Sequence, residues 1–155
     1  MELVEEIRIK ATRDTVFAAL NDVDILKQAI PGCEALEATS ANEFTAVVVS
    51  KIGPLKAKFT GSVTLIDVIA PQSYTMVGEG KGGPAGFAKM RTHVHLTDEG
   101  ESTLLRYEVK ADIGGKLAQL GGSLITSTSK KLAAIFFSNF EAILNGESTT
   151  ESPND

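Results

Sequence analysis

KAKFTGSVTL, residues 56–65, decides the fold: Ala57, Phe59, Gly61, Val63 and Leu65 alternate with Lys56, Lys58, Thr60, Ser62 and Thr64. A period of two places the first set on one face of a β-strand and the second on the other, so the strand belongs to an antiparallel sheet with one covered and one wet face. Residues 103–113 repeat the pattern, with Thr103, Leu105, Tyr107, Val109, Ala111 and Ile113 opposed to Leu104, Arg106, Glu108, Lys110 and Asp112. Between and around these two stretches, turn signals at Ala41-Asn42, Gly53-Pro54, Ala70-Pro71, Gly82-Gly83-Pro84 and Asp98-Glu99-Gly100 cut residues 33–113 into six antiparallel strands. Upstream, Leu3, Glu5, Ile7 and Ile9 share a face of one more strand. Two short helices follow, over residues 15–20 and 24–30, with Thr12 and Asp14 as candidate caps and Pro31-Gly32 as the stop.

The covered face needs a cover, and residues 116–144 supply it. Leu117, Leu120, Leu124, Ile125, Leu132, Ile135, Phe136, Phe140, Ile143 and Leu144 recur there at three- and four-residue steps. Such a helix would be about 43 Å long. Gly121-Gly122 weaken its first turns, so the spacing predicts a kink there or a start near Ser123. A single helix shields only a strip of a flat sheet, and the expected fold is therefore α+β: a strongly bent, seven-stranded antiparallel sheet around a long C-terminal helix, with two short helices between strands 1 and 2. Residues 1–144 read as one domain, and the polar, acidic residues 145–155 as a disordered tail.

Composition narrows the function classes. In 155 residues, 43% are hydrophobic and 23% charged, without like-charge blocks or a fixed repeat, which excludes disordered, collagenous and coiled-coil chains. The net charge of -5 repels a phosphate backbone, so nucleic acid is not an expected partner. No apolar run approaches the length of a membrane-spanning helix, and the opening MELVEEIRIK lacks the pattern of a signal peptide. With Cys33 as the single cysteine, the expected compartment is the reducing cytoplasm. The chain has no Trp, seven Phe and two Tyr, while many inward positions hold Gly, Ala, Ser or Thr. Small side chains facing a concave sheet leave volume unfilled, and close packing predicts that something else fills it.

The blocks PGCE (31–34), KIGPLKAKFTG (51–61), GKGGPAGFAKM (80–90), GKLAQLGGSLI (115–125) and KKLAAIFF (130–137) resemble, in that order, the CoxG family of carbon monoxide dehydrogenase subunits. The family lies within the helix-grip superfamily of START-like (SRPBCC) domains, and the likeness runs over about residues 1–144. The resemblance implies a helix-grip fold enclosing an elongated apolar pocket between sheet and long helix. It implies a place beside molybdenum-containing carbon monoxide dehydrogenases and related molybdenum hydroxylases, in membrane recruitment, maturation, or coupling to a lipophilic electron carrier such as a quinone. Some members carry a C-terminal extension ending in a membrane anchor. The present chain ends at Asp155 without one, and at most peripheral membrane contact is expected.

Each chemistry-bearing motif also has a structural reading. Gly78, Gly80, Gly82, Gly83 and Gly86 have strands on both sides, so they fit neither a dinucleotide fingerprint nor a P-loop; they read as a bulged hairpin or as glycines that let a ligand or the helix approach the backbone. His93 and His95 share a face and would bind a metal if Glu79 or Glu108 joined them, but Lys89 and Arg91 lie on that same wet side, and a polar ladder is the preferred reading. Cys33 has no neighbour in sequence that would activate it, and no hydrolase triad assembles by motif.

What remains is the pocket wall. The expected ligand-binding residues are Phe59, Gly61, Met76, Phe87, Met90, Leu120, Leu124, Thr128, Leu132 and Phe136, with hydroxyls of residues 126–129 available to a quinone-like carbonyl. The resulting expectation is a non-catalytic carrier of an elongated hydrophobic ligand, lipid or isoprenoid quinone, with no metal and no cofactor of its own, accessory to a molybdenum-containing carbon monoxide dehydrogenase-like enzyme. The alternatives are an assembly or membrane-recruitment module acting through its outer surface, and an enzyme, which would show itself by a polar residue of strongly shifted pKa inside the cavity.

Overall fold

The computed structural model describes residues 1–146; the tail expected to be disordered falls, from residue 147 on, outside the described residues. Strand β1 (Glu2–Ile9) is followed by helices α1 (Arg13–Leu20) and α2 (Val23–Ala29). Then come β2 (Cys33–Ser40), β3 (Glu43–Ile52), β4 (Leu55–Ile69), β5 (Ser73–Lys81), β6 (Phe87–Glu99) and β7 (Ser102–Gly114), and finally α3 (Gly122–Leu144). The order is the one read from the period-two stretches and their turns.

The seven strands form one antiparallel sheet in the order β1-β7-β6-β5-β4-β3-β2. Both β1, at one edge, and β3, near the other, touch α3, so the sheet curls until the single helix is gripped from two sides. Register fixes the faces. Leu65 pairs with Met76, Met76 with Thr92 and Thr92 with Val109, all inward, whereas Thr75, His93 and Glu108 form an outward row. The two histidines lie on the wet side, as the alternation predicts, and His93 Nδ1 is 3.1 Å from the Thr75 hydroxyl.

Local chemistry sets the helix ends. The Thr12 hydroxyl accepts from the Thr15 amide, and the Asp22 carboxylate accepts from the amides of Asp24 and Ile25 at 2.9 and 3.2 Å, capping α1 and α2. Gly121, at φ 90°, ends the first segment of the predicted long helix: Gly115–Leu120 is a 3-10 turn and α3 proper begins at Gly122. A left-handed backbone angle cannot continue a helix, so α3 is about 35 Å long rather than 43 Å.

The large side chains gather at one end of the grip. Ile9, Val16, Leu20, Phe44, Leu65, Tyr74, Val94, Leu96, Leu105 and Phe140 are buried there, with Phe136 and Phe137 packed against them. Phe136 stacks on Phe140 and meets Phe137 edge-on, and Phe137 stacks on Tyr107. Helices α1 and α2 close this end. The buried Asn139 amide on α3 donates to the Ala29 carbonyl at the end of α2 at 3.2 Å, and Glu141 accepts from the Lys10 amide. No helix among the described residues is long and apolar enough to cross a membrane.

Candidate functional site

The opposite half of the grip is not filled. Between the inner face of the sheet and α3 lies a cavity of about 440 Å³ with an almost wholly apolar lining. Its walls follow the alternation strand by strand. Val48, Ser50 and Ile52 come from β3, Phe59, Gly61 and Val63 from β4, Gly78 and Gly80 from β5, Ala88, Met90 and Thr92 from β6. Tyr107, Val109, Ala111 and Ile113 come from β7, and Ile125, Thr128, Leu132 and Ala133 from the facing side of α3. On β4, β6 and β7 the lining stops where the large core residues begin: after Thr92 comes Val94, after Tyr107 comes Leu105, after Val63 comes Leu65. The cavity therefore has an inner end, floored by the packed core, and an outer end bounded by Ile52, Ile113 and Leu117.

Its cause is the run of small residues. Gly61 pairs with Gly80 and Val63 with Gly78 across β4–β5, and Gly80 pairs with Ala88 across β5–β6. Where the closed end carries Phe, Tyr and Leu, the Gly61–Gly80–Ala88 row carries only hydrogen or methyl, and the helix, held off by the bulk at the closed end, does not descend to fill the gap.

At the outer end two turns meet backbone to backbone. A Cβ on Gly86, at φ 111°, would stand 2.1 Å from the Gly114 carbonyl oxygen, and one on Gly115 2.6 Å from Gly86 Cα. The ring of Phe59 lies over Gly82 in the same region. The glycine cluster thus divides: Gly78 and Gly80 bare the cavity wall, whereas Gly82 and Gly86 permit close approach at its rim.

Five of the ten residues expected to line a pocket come together in this cavity: Phe59, Gly61, Met90, Thr128 and Leu132. The other five do not line it. Met76 lies one step past the floor, against the core, and Phe136 belongs to the aromatic stack with Phe140. Leu124 covers Gly53 at the β3–β4 turn, and Leu120 ends the 3-10 turn. Phe87 is three residues from Met90 on the same strand and so points to the other face, where it is 40% exposed with its ring over Gly114. Sequence reasoning missed the β3 wall, the small residues of β5 and β6, and Thr92; their signal was the same alternation carried through every strand.

Two polar side chains mark the inner end. Tyr107 Oη donates to Glu5 Oε1 at 2.5 Å, and burial first, then this bond, pushes the phenol pKa above its ordinary value. Thr92 is only 5% exposed. Burial likewise raises the pKa of the Cys33 thiol, which lies on β2 without lining the cavity and whose Sγ is 3.4 Å from the Ala35 carbonyl. Among the described residues no group of three or more His, Cys, Asp and Glu is placed to hold a metal. A second concavity, an open groove of about 710 Å³, lies on the polar outer face between Glu2, Thr64, Lys89, Arg91, Lys110 and Asp112. Across the ladders Lys89 stands opposite Asp112 and Lys110 opposite Glu2, and the apolar interior is the site better suited to a small molecule.

The sequence profile of the CoxG family of carbon monoxide dehydrogenase subunits matches residues 6–145. No curated protein is significantly similar to the chain. Among solved structures, a conserved protein from Geobacillus kaustophilus superposes with a TM-score of 0.89 at 28% identity, over 94% of this chain and 96% of the other. A START superfamily protein from Mycobacterium smegmatis gives 0.67 at 13% identity, over 94% and 97%. The ZhuI aromatase/cyclase from Streptomyces sp. R1128 gives 0.65 at 10% identity, over 94% and 93%. At those last two identities the likeness is one of fold.

Proposed function

The chain belongs to the CoxG family of carbon monoxide dehydrogenase subunits, and on that premise we propose that it is a binding protein which takes an apolar small molecule into the cavity under α3. The observation that carries the reading is the hollow itself: about 440 Å³ of apolar space, created by paired glycines and alanines, in a fold whose other half is close-packed. That volume falls within the range of about 300–1,000 Å³ typical of small-molecule sites. Burial of apolar ligand surface would supply the affinity, at about 25 cal/mol per Å² before the costs of binding are subtracted.

The finer reading follows the family. The ligand is a lipid or an isoprenoid quinone, and the chain serves a molybdenum-containing carbon monoxide dehydrogenase-like enzyme as a non-catalytic accessory, handing the apolar molecule between membrane and enzyme. The reading favours binding over catalysis: Tyr107, the lining residue whose pKa is strongly raised, holds its proton in a bond to Glu5, and apart from Glu79, on the outward row of β5, the other polar side chains of the lining are hydroxyls. Organic extraction of the purified protein with mass spectrometry, followed by titration of the delipidated protein with a short-chain quinone, tests the reading. A co-purifying apolar molecule or saturable uptake is expected. A protein that is empty as purified and takes up no apolar probe overturns it.

A further inference from the structure

The buried polar side chains of the described residues are Ser73, Thr75, Thr92, Thr103 and Asn139. Three have partners: Thr75 with His93, Thr103 with the Ala11 carbonyl at 2.8 Å, and Asn139 with the Ala29 carbonyl. Thr92 has none among the described residues, and its flanking partners on β5 and β7 are Met76 and Val109, which offer no side-chain oxygen or nitrogen. A hydroxyl left without a protein partner beside an apolar cavity is a position for a guest's polar atom. Ser73, the other buried hydroxyl without a partner among the described residues, is at the start of β5 and does not line the cavity; Thr92 does.

The Thr92 oxygen is moreover open to a guest. The one fully enclosed polar side-chain atom without a partner among the described residues is Arg13 Nε. The Thr92 oxygen is therefore accessible, and the accessible space beside this inward-facing residue is the cavity. Thr92 is also the last β6 residue in the lining before the packed core, so its hydroxyl stands at the inner end while the outer walls are Gly80, Ala88 and Ile113.

We propose that Thr92 is the polar anchor of the cavity: its hydroxyl hydrogen-bonds a carbonyl or hydroxyl oxygen at one end of an otherwise apolar ligand, which enters oxygen-first and leaves its hydrocarbon part toward the outer end. This rests on the reading of the cavity as a binding site and adds to it a ligand class and an orientation. A pure hydrocarbon leaves the hydroxyl unpaired, whereas a ketone, quinone or alcohol pairs it, so the site selects for oxygen at the leading end.

The test is a fluorescence titration of the delipidated full chain with 2-acetylnaphthalene and its carbonyl-free counterpart 2-ethylnaphthalene, in the wild type, Thr92→Val and Thr92→Ser. The wild type is expected to prefer the ketone. Thr92→Val, which keeps the β-branched shape, weakens ketone binding about 3- to 10-fold, the size of one hydrogen bond, and leaves the hydrocarbon unchanged or tighter. Thr92→Ser restores the preference. Thr92→Val also unfolds at a Tm no lower than the wild type, because the hydroxyl supports nothing else. Equal changes for both probes, or no change for either, overturn the anchor while leaving the binding reading intact; a wild type that takes up neither probe overturns both.

Discussion

Gly80 stands directly across the β4–β5 ladder from Gly61, and both bare the cavity wall, yet only one of them has room for a side chain. A Cβ on Gly61 would lie 2.7 Å from the Glu79 carbonyl oxygen, whereas one on Gly80 meets nothing within 4 Å. Gly80→Leu is therefore expected to fold with a near-native Tm, fill the hollow, and weaken uptake of an apolar probe about tenfold or more, a loss of about 1.4 kcal/mol or more. Thermal unfolding and probe titration on the same sample check both halves. Gly61→Ala, by contrast, is expected to lower the Tm.

At the rim, Gly86→Ala asks a left-handed residue to carry a Cβ 2.1 Å from the Gly114 oxygen. The expected cost is about 1–3 kcal/mol or more in urea unfolding, because neither backbone can retreat without breaking the meeting of the two turns. Hydrogen exchange localises the damage: the Gly82 amide, bonded to the Gly86 carbonyl at 2.8 Å, should lose protection before the strands do.

The two ends of the grip differ in what a truncation removes. Phe140 is fully buried and stacked on Phe136, so Phe140→Ala is expected to cost about 3–5 kcal/mol. Leu132 already borders empty volume, and Leu132→Ala should cost about 2 kcal/mol, the low end for such a change, since part of its surroundings is void before the change. Urea unfolding of both variants decides; equal costs would mean that the hollow is not open on the Leu132 side.

The strands, their turns and the inward and outward faces are legible in the sequence because period two is a local signal that a one-sided sheet enforces at every residue. Phe87 shows the cost of setting that signal aside: its distance of three from Met90 already places it on the other face, although its ring suggests a pocket wall. Leu124 and Phe136 fit the apolar stripe of α3, and a stripe alone does not say which of its turns meets core, cavity or a neighbouring loop. That division depends on where bulk gathers on the sheet, a non-local property visible only once β4, β5 and β6 are side by side. The paired glycines mark the break at Gly121 as a weakness of the helix; nothing local marks the 3-10 turn before it, since Lys116, Leu117 and Leu120 keep helical spacing.

Alkaline pH should expose the closed end through its tyrosines. Burial raises the pKa of Tyr74 well above the ordinary tyrosine value, and burial with the Glu5 hydrogen bond does the same for Tyr107. A group whose pKa is higher in the folded state holds its proton there longer than in the unfolded chain. Its contribution is therefore constant below the unfolded pKa of about 10 and is lost as pH rises beyond it, at up to about 1.4 kcal/mol per pH unit for each tyrosine. Tyr74 sits edge-on to Phe17 with ring centroids 5.9 Å apart, so Tyr74→Phe keeps the ring contact and removes one titrating group. Urea unfolding across about pH 8 to 11 should show a flat plateau followed by a decline, with the decline shallower in Tyr74→Phe. A wild-type stability that stays level through about pH 11 would mean that the phenols ionise without leaving the core, against the packing described for this end.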